Sequence, residues 1–251
     1  MDEMLRQAAE LVEQAGVVTV FTGAGISTES GLADFRSAGG LWERYRIVTY
    51  PEFVASHEAR VEYWQMRREL IPTLLAAQPN DAHRAIAELQ DICKLKTVLT
   101  QNIDGLHQAA GNHDVIELHG TNLTASCLNC GKTWPIEDIQ IRLETDDLDP
   151  ACDRCDGAIK PDTVSFGQSM PQKEMNRAFT VAQKCDLMFM LGSSLEVQPA
   201  ALLPAAAAEV GARLIFINRT ETPYDHLAEL IFRDGCGEVM QGIMGMLESA
   251  L

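Results

Sequence analysis

Apolar residues recur along the chain with two different periods. Leu5, Ala8, Leu11, Val12 and Ala15 fall on one face of a helix that stops at Gly16. Directly after it, Val17-Val18-Thr19-Val20-Phe21 is apolar on both faces and rich in β-branched residues, the pattern of a strand buried on both sides. Three further runs share this character: Lys96 to Thr100, Leu187 to Leu191 and Leu214 to Ile217. Each run is followed by polar or small residues. These are Thr22-Gly23-Ala24-Gly25, Gln101-Asn102, Gly192-Ser193-Ser194 and Asn218-Arg219-Thr220. Helical segments such as Ala82 to Ile92 and Ala201 to Val210 lie between them. Strands alternating with helices predict an α/β fold with a doubly wound parallel sheet. Ligands bind such sheets beyond the carboxyl ends of the strands, so the four polar loops are expected to gather at one site.

Two stretches break this rhythm. Residues 43–79 are aromatic and mostly helical in pattern, and residues 122–160 hold two CxxC pairs. Both sit between core strands and read as excursions that together build a smaller inserted domain. The expected division gives residues 1–42, 93–121 and 161–251 to the large domain, and 43–92 and 122–160 to a small domain with a helical and a cysteine module.

Composition narrows the class. A chain of 251 residues with 46% apolar and 22% charged residues can bury a substantial core. The start, Met1-Asp2-Glu3-Met4, has no basic region leading into an apolar run, so no secretory signal is expected. A membrane span needs about 20 continuous apolar residues. The most apolar stretch, Leu202 to Ala208, is short and broken by Pro204, so a soluble, cytoplasmic protein without a membrane partner is expected. The formal charge is −16, which argues against nucleic acid as the main partner, because phosphate backbones recruit clustered Lys and Arg. An acidic surface attracts lysine-rich peptides, and it also serves plain solubility.

The cysteines carry the sharpest local signal. Cys127-x-x-Cys130 and Cys152-x-x-Cys155 stand 21 residues apart, with Asp146 to Pro150 as a loop extension between them. Two such knuckles in a reducing compartment read as a closed tetrahedral zinc site; disulfides or an iron centre are the competing readings. Four thiolates leave no open position for water, so this metal is expected to be structural. Cys93, Cys185 and Cys236 sit among apolar neighbours and read as buried.

The other motifs are weaker one by one. Gly23-Ala24-Gly25-Ile26-Ser27 after the first strand suits close approach of a pyrophosphate, and equally a simple tight turn. Thr28 holds the place of a third glycine, which departs from the dehydrogenase fingerprint. Asp34-Phe35-Arg36 puts an acid, a ring and a guanidinium beside this loop. Gln101-Asn102-Ile103-Asp104 follows the second strand, and Leu118-His119-Gly120 comes shortly after. A lone histidine between apolar residues is ordinarily structural, yet an imidazole also titrates near working pH. His107 and His113 match no motif and read as loop or surface residues.

Taken in order, these motifs resemble the sirtuins, from about Val17 to Cys236. GAGISTESGLADFRSAGGLW is close to the family's signature, and QNID, LHG, the paired CxxC and GSS follow in the family's order. Leu32-Ala33 stands where the family has Ile-Pro, and Gln168 where it has Glu. The resemblance implies a Rossmann-like NAD-binding domain, one zinc per chain and an NAD-dependent protein-lysine deacylase acting on acylated lysine peptides. It implies that His119 is the general base and that Asn102 is also catalytic. Gly23, Ala24, Gly25, Ser27, Asp34, Phe35, Arg36, Gln101, Asn102, Ile103 and Asp104 are then NAD contacts, with Phe35, Asn102 and Asp104 at the nicotinamide. Gly192, Ser193, Ser194, Asn218 and Cys236 are those on the adenosine side. Val164, Phe166 and Gly167 lie in the segment that pairs with an extended substrate peptide.

In the implied reaction the acyl oxygen attacks the ribose carbon as nicotinamide leaves, and His119 removes a ribose hydroxyl proton. The products are free lysine, nicotinamide and O-acyl-ADP-ribose. A mono-ADP-ribosyltransferase or a non-enzymatic NAD sensor are the rival readings. A monomer is expected. Acidic-acyl sirtuins carry a Tyr-x-x-Arg pair on the helix before Gln-Pro-Asn. Here Trp64 and Gln65 precede Arg67 and Arg68 by three, and Tyr63 precedes Arg67 by four. Solvated arginines and a neutral acyl group, acetyl foremost, are therefore expected, with the acidic-acyl reading still open.

Overall fold

A computed structural model describes residues 1–33, 45–92 and 94–248. Asp34, Phe35, Arg36 and Cys93 lie outside the described residues. The chain opens with helix α1 (Asp2–Gln14), whose buried face is Leu5, Ala8, Leu11 and Val12. The polar reverse turn after it is pinned from a distance, since Gly16 N–H and Val17 N–H donate to Asp186 Oδ2 at 2.9 and 2.8 Å. Strand β1 (Val18–Thr22) follows and is buried at every position.

Six parallel strands form the larger sheet: β1, β2 (Leu95–Thr100), β3 (Val115–Glu117), β7 (Leu187–Leu191), β8 (Arg213–Ile217) and β9 (Leu230–Phe232). Their order is β3-β2-β1-β7-β8-β9. The chain thus leaves β1 outward on one side to β2 and β3, and later returns to β7 on the other side. This reversal opens a crevice at the carboxyl ends of β1, β2 and β7, where ligands of doubly wound sheets bind. On one face lie α1, α4 (Asp81–Asp91) and α9 (Cys236–Glu248), which bury Val12, Ile86 and Met240 against Val20 and Phe189. On the other lie α7 (Gln172–Ala182) and α8 (Leu203–Glu209), with Ala178 and Leu203 against Phe21 and Phe216.

A second core is built from α2 (Tyr50–Ala55), α3 (His57–Ala76), α6 (Ile136–Glu144) and a three-stranded antiparallel sheet. That sheet has the order β5 (Thr133–Pro135), β4 (Gly120–Cys127), β6 (Ile159–Thr163). Trp64, Phe53, Ile71, Ile136, Ile139 and Ile159 fill it, beside Cys127 and Cys152. Two boundaries differ from the expected division. Helix α4 has a strongly one-sided apolar face, and Ala82, Ile86 and Leu89 spend it on the large sheet, so the helical module ends before residue 81. Strand β6 pairs with β4 along Ile159 to Thr163, so the small sheet runs past residue 160. Among the described residues no helix is long and apolar enough to cross a membrane.

Candidate functional site

The loops after β1 and β7 meet backbone to backbone. Gly23 N–H donates to Leu191 O at 3.0 Å, and Gly25 N–H to Gly192 O at 2.8 Å. A Cβ on Gly25 would lie 2.7 Å from Gly192 Cα, and one on Gly192 would lie 2.2 Å from Ile26 N. Gly192 also has φ +60°, so glycine is required at both places for steric reasons. Beyond Gly23 the chain enters a 3₁₀ turn, Ala24–Ser30, which buries Ile26 and Ser27.

The loop after β2 is tied to this one. Gln101 N–H donates to Thr22 O at 2.9 Å. Asn102 is buried; its N–H donates to Thr100 Oγ1 at 3.0 Å, and its Nδ2 donates to Gly23 O and Ser27 Oγ, each at 3.1 Å. Ser27 Oγ in turn donates to Asp104 Oδ2 at 2.7 Å, while Asp104 Oδ1 accepts from Leu106 N–H at 3.0 Å, where the short helix α5 (Leu106–Ala109) begins. Ser27, Asn102 and Asp104 are therefore one connected polar group at the ends of β1 and β2.

His119 stands just before β4. Its Nδ1–H donates to the backbone oxygen of Gln101 at 3.0 Å, which leaves Nε2 as the bare, basic nitrogen. Burial pushes the imidazole below its ordinary value, partly countered by that same backbone bond. A ring held neutral with one nitrogen fixed as donor is suited to take a proton at the other. Gln101 Oε1 accepts from Ser193 Oγ at 2.8 Å, so the loop after β7 reaches the histidine's support. Gly120 has φ +73°, and a Cβ there would lie 2.0 Å from Asp162 O, so His119 is followed by an obligatory glycine where β4 meets β6. Val164 N–H donates to His119 O at 2.8 Å, and Phe166 O accepts from Tyr50 N–H at 2.8 Å. Val164 is half-buried, whereas Phe166 and Gly167 are exposed.

Asn218 and Cys236 come together beyond β8 and β9. Asn218 N–H donates to Phe232 O at 3.0 Å and its Nδ2 to Thr220 O at 2.8 Å. Cys236 is buried at the start of α9 and packs its Sγ against Ile217 O at 3.7 Å. Burial, with the Glu29 charge nearby, pushes its thiol up to about 12, so the side chain is inert and only the backbone is available to a ligand. The 192–194 loop, with Ser193 buried, lies between this edge and the Asn102 group.

The four cysteines of the small sheet converge as the spacing requires. All four Sγ atoms lie within 4.8 Å of one another. Cys127 and Cys155 Sγ are 3.5 Å apart, and Cys130 and Cys152 Sγ are 3.6 Å apart. Sulfurs on a tetrahedron of about 2.3 Å zinc bonds stand roughly 3.8 Å apart, whereas a disulfide needs about 2.05 Å. Backbone N–H groups of Asn129 and Arg154 point at Cys127 and Cys152 Sγ, each at 3.4 Å, as suits thiolates. The donor set therefore fits one four-thiolate zinc.

Sequence reasoning missed a second tier beneath the loops. His107 is not on the surface: it is buried in α5, with its Nε2 at 2.9 Å from Thr22 Oγ1. Thr22 Oγ1 donates to Thr100 Oγ1 at 2.8 Å. The available signal was a threonine ending each of two largely buried strands. Arg67 likewise is buried in place of being solvated, with its guanidinium bonded to Asn122 Oδ1 and 5.5 Å from the Tyr63 ring centroid. Arg68 is half-buried and paired with Asp146.

A parallel sheet with a switch-point crevice, a positioned imidazole and an inserted four-thiolate module defines a Rossmann-like α/β protein with a metal-binding insertion. The Sir2 family model matches residues 23–199. An NAD-dependent protein deacetylase of Thermodesulfovibrio yellowstonii is 50% identical over 247 residues, covering 98% of this chain and 96% of the relative. One of Bradyrhizobium diazoefficiens is 44% identical over 243 residues, covering 96% and 95%. A solved complex of Sir2 with a p53 peptide and NAD+ superposes with a TM-score of 0.90 at 35% identity, covering 98% of both chains. A Sir2 structure bound to an acetylated peptide gives 0.89 at 36% identity, again covering 98% of both. The chain belongs to the Sir2 family.

Proposed function

We propose that this chain is an NAD-dependent protein-lysine deacylase, which moves the acyl group from lysine to ADP-ribose and releases nicotinamide. The observation that carries this reading is His119. Its Nδ1–H is fixed on Gln101 O and its Nε2 is bare, beside the connected Ser27, Asn102 and Asp104. His119 Nε2 takes the proton from a ribose hydroxyl, and that oxygen then accepts the acyl group. Asn102 and Asp104 orient the nicotinamide ribose and its departing ring, together with Asp34, Phe35 and Arg36. Gly192 to Ser194, Asn218 and the Cys236 backbone hold the adenosine half. Val164 to Gly167 offer an extended edge for the substrate peptide, with exposed Phe166 as an apolar contact. Cys127, Cys130, Cys152 and Cys155 hold one zinc, which supplies folding energy to the small unit and no chemistry. The protein acts as a cytoplasmic monomer on acylated lysine peptides, and its net charge of −16 disfavours nucleic acid as the main partner.

The test is the requirement for substrate. Purified protein with NAD is expected to release nicotinamide in step with loss of the acyl group from an acylated lysine peptide. Release that continues at the same rate without the peptide, or with its unacylated form, sinks the deacylase reading and favours simple ADP-ribosyl transfer or hydrolysis.

The preferred acyl group is neutral, acetyl foremost. Arg67 is engaged internally, through Asn122 and the Tyr63 ring, and Trp64 occupies the position three before it. A second reading has an observation behind it: Arg67 Nε–H is buried with no hydrogen-bond partner among the described residues. Lys160 is also buried, and desolvation together with the Arg67 charge pulls it down to about 8. Two neighbouring buried cations would welcome an acidic acyl chain. Matched peptides decide: kcat/KM for acetyl-lysine is expected to exceed that for succinyl-lysine by at least about tenfold, because opening the internal Arg67 bond costs on the order of 1–3 kcal/mol. A succinyl preference would hand the site to the second reading.

A further inference from the structure

The segment that leaves β8 is folded around one arginine. Arg233 stands one residue past β9, and its Nη1 donates to two backbone oxygens of that segment, Asn218 O at 3.0 Å and Thr220 O at 2.8 Å. Its Nη2 is paired with Asp225. Asp225 is itself fixed, because Thr222 Oγ1 donates to its Oδ1 at 2.7 Å. Thr222 is buried, and its Oγ1 accepts from Tyr224 N–H at 3.3 Å. An isolated surface ion pair contributes little. A guanidinium that meets three oxygens of residues 218–225 is a different case, since its planar fork ties that segment into one shape. Phe232 O, next to Arg233 in the chain, accepts from Asn218 N–H at 3.0 Å, so the ends of β8 and β9 are joined as well.

The fork reaches the Asn218 side chain through a shared atom. Thr220 O accepts from Arg233 Nη1 and from Asn218 Nδ2, each at 2.8 Å, which uses both lone pairs of the carbonyl. The second Nδ2 proton goes to Thr220 Oγ1 at 3.2 Å. A backbone oxygen cannot donate, so the orientation of the amide is settled. Both Nδ2 protons are spent, and Asn218 offers only Oδ1, which is an acceptor and calls for a donor such as a sugar hydroxyl. Asn218 also stands at the crevice, because Gly192 N–H donates to the preceding carbonyl, Ile217 O, at 3.0 Å. We propose that Arg233 is a positioning residue for Asn218. It holds Thr220 O, Thr220 O orients the Asn218 amide, and the amide turns Oδ1 to a hydroxyl of the adenosine ribose. Arg233 touches no part of NAD in this arrangement. Without it, Thr220 O is free to turn towards water, and the amide loses the partner that orients it.

The inference rests on the proposed deacylase reading for the ribose contact, and binding tests it without turnover. Calorimetric titration with NAD is expected to give Arg233→Met a Kd about 3- to 10-fold above wild type, the worth of about one neutral hydrogen bond. With acetyl-lysine peptide the loss is expected in KM for NAD, with kcat within about twofold of wild type. The sharpest probe is an NAD analogue whose adenosine ribose lacks both hydroxyls. Wild type is expected to bind it more weakly than NAD, and Arg233→Met to bind it as well as wild type does, within about 1.5-fold, since the contact is already gone. An equal loss for NAD and for the analogue would show that Arg233 attracts the pyrophosphate by charge alone, and overturns the positioning role. Arg233→Lys keeps the charge but not the fork, and is expected to bind NAD as weakly as the methionine variant. A lysine variant with wild-type affinity overturns the role in the same way. The lysine change is also the milder one, so the test stands if the methionine variant does not fold. Folded variants that bind NAD like a wild type that itself binds and deacylates refute the inference and leave the deacylase reading standing. A wild-type chain that binds no NAD removes that reading, and the inference with it.

Discussion

Replacing His119 by alanine is expected to reduce kcat/KM for peptide deacylation by about 10²–10⁴-fold, the usual contribution of a positioned general base. The ring is half-buried at the end of a short connection between β3 and β4, and its one described bond is to the Gln101 carbonyl. Its removal therefore leaves a small open space without stranding a charge, and the fold and zinc content should persist. The pH dependence adds a sign. A base works in its neutral form, and burial lowers the His119 pKa, so the acid limb of kcat/KM should fall below the ordinary histidine value. Near wild-type turnover in the alanine variant, with circular dichroism unchanged, would show that the proton leaves by another route.

Loss of the metal should have the largest effect on structure. Wild-type protein is expected to carry one zinc per chain by elemental analysis. Cys127→Ser or Cys152→Ser is expected to lose it, together with the cooperative folding of the small unit. These two thiols are the buried members of the cluster and sit inside the second core beside Ile136, Ile139 and Ile159. Structural zinc binding is worth about 10–16 kcal/mol in small peptides, which rivals the about 5–15 kcal/mol that holds a whole domain together. Limited proteolysis should then cut within residues 122–160 while the larger sheet survives. Fully active protein that contains no metal would be incompatible with this account.

The parts of the fold that were legible in the sequence are those where burial is nearly complete. β1, β2, β7 and β8 lie inside the sheet, so nearly all their positions are buried and their runs of apolar and β-branched residues announce them. β3 and β9 are three-residue edge strands with only one fully buried position each, too short to register a period. The small sheet was invisible for another reason: β4 mixes Thr, Asn and Ser with Leu and Ala, since one face only is covered. Among the candidate residues, the four cysteines could be read because metal geometry fixes their spacing. His119 could be read only through its neighbours and the family resemblance. His107 and Arg67 were misjudged because a polar residue gives no local sign of burial. Their partners, Thr22 and Asn122, come from strands 85 and 55 positions away in the chain.

The pairing of β4 with β6 gives the zinc a reach that its distance from the crevice conceals. β4 begins one residue after His119 and ends at Cys127; antiparallel to it, β6 begins four residues after Cys155 and runs out into Val164. The two strands act as the legs of a clothes-peg. Its spring is the thiolate cluster, which shuts one end, and its jaws are the imidazole proposed as the base on one leg and the edge proposed to dock the peptide on the other, bonded where Val164 N–H meets His119 O. The paired ends Gly120–Thr163 and Cys127–Ile159 are four residue steps apart along β6, about 13 Å at roughly 3.3 Å per residue, too great for the metal to touch the reacting atoms. It can nevertheless decide how squarely the jaws meet. A strand pair that slipped by one residue would turn both functional faces away together. His119 and the Val164 edge thus share a single mechanical reference, set at the far end of the ladder by the four-thiolate site.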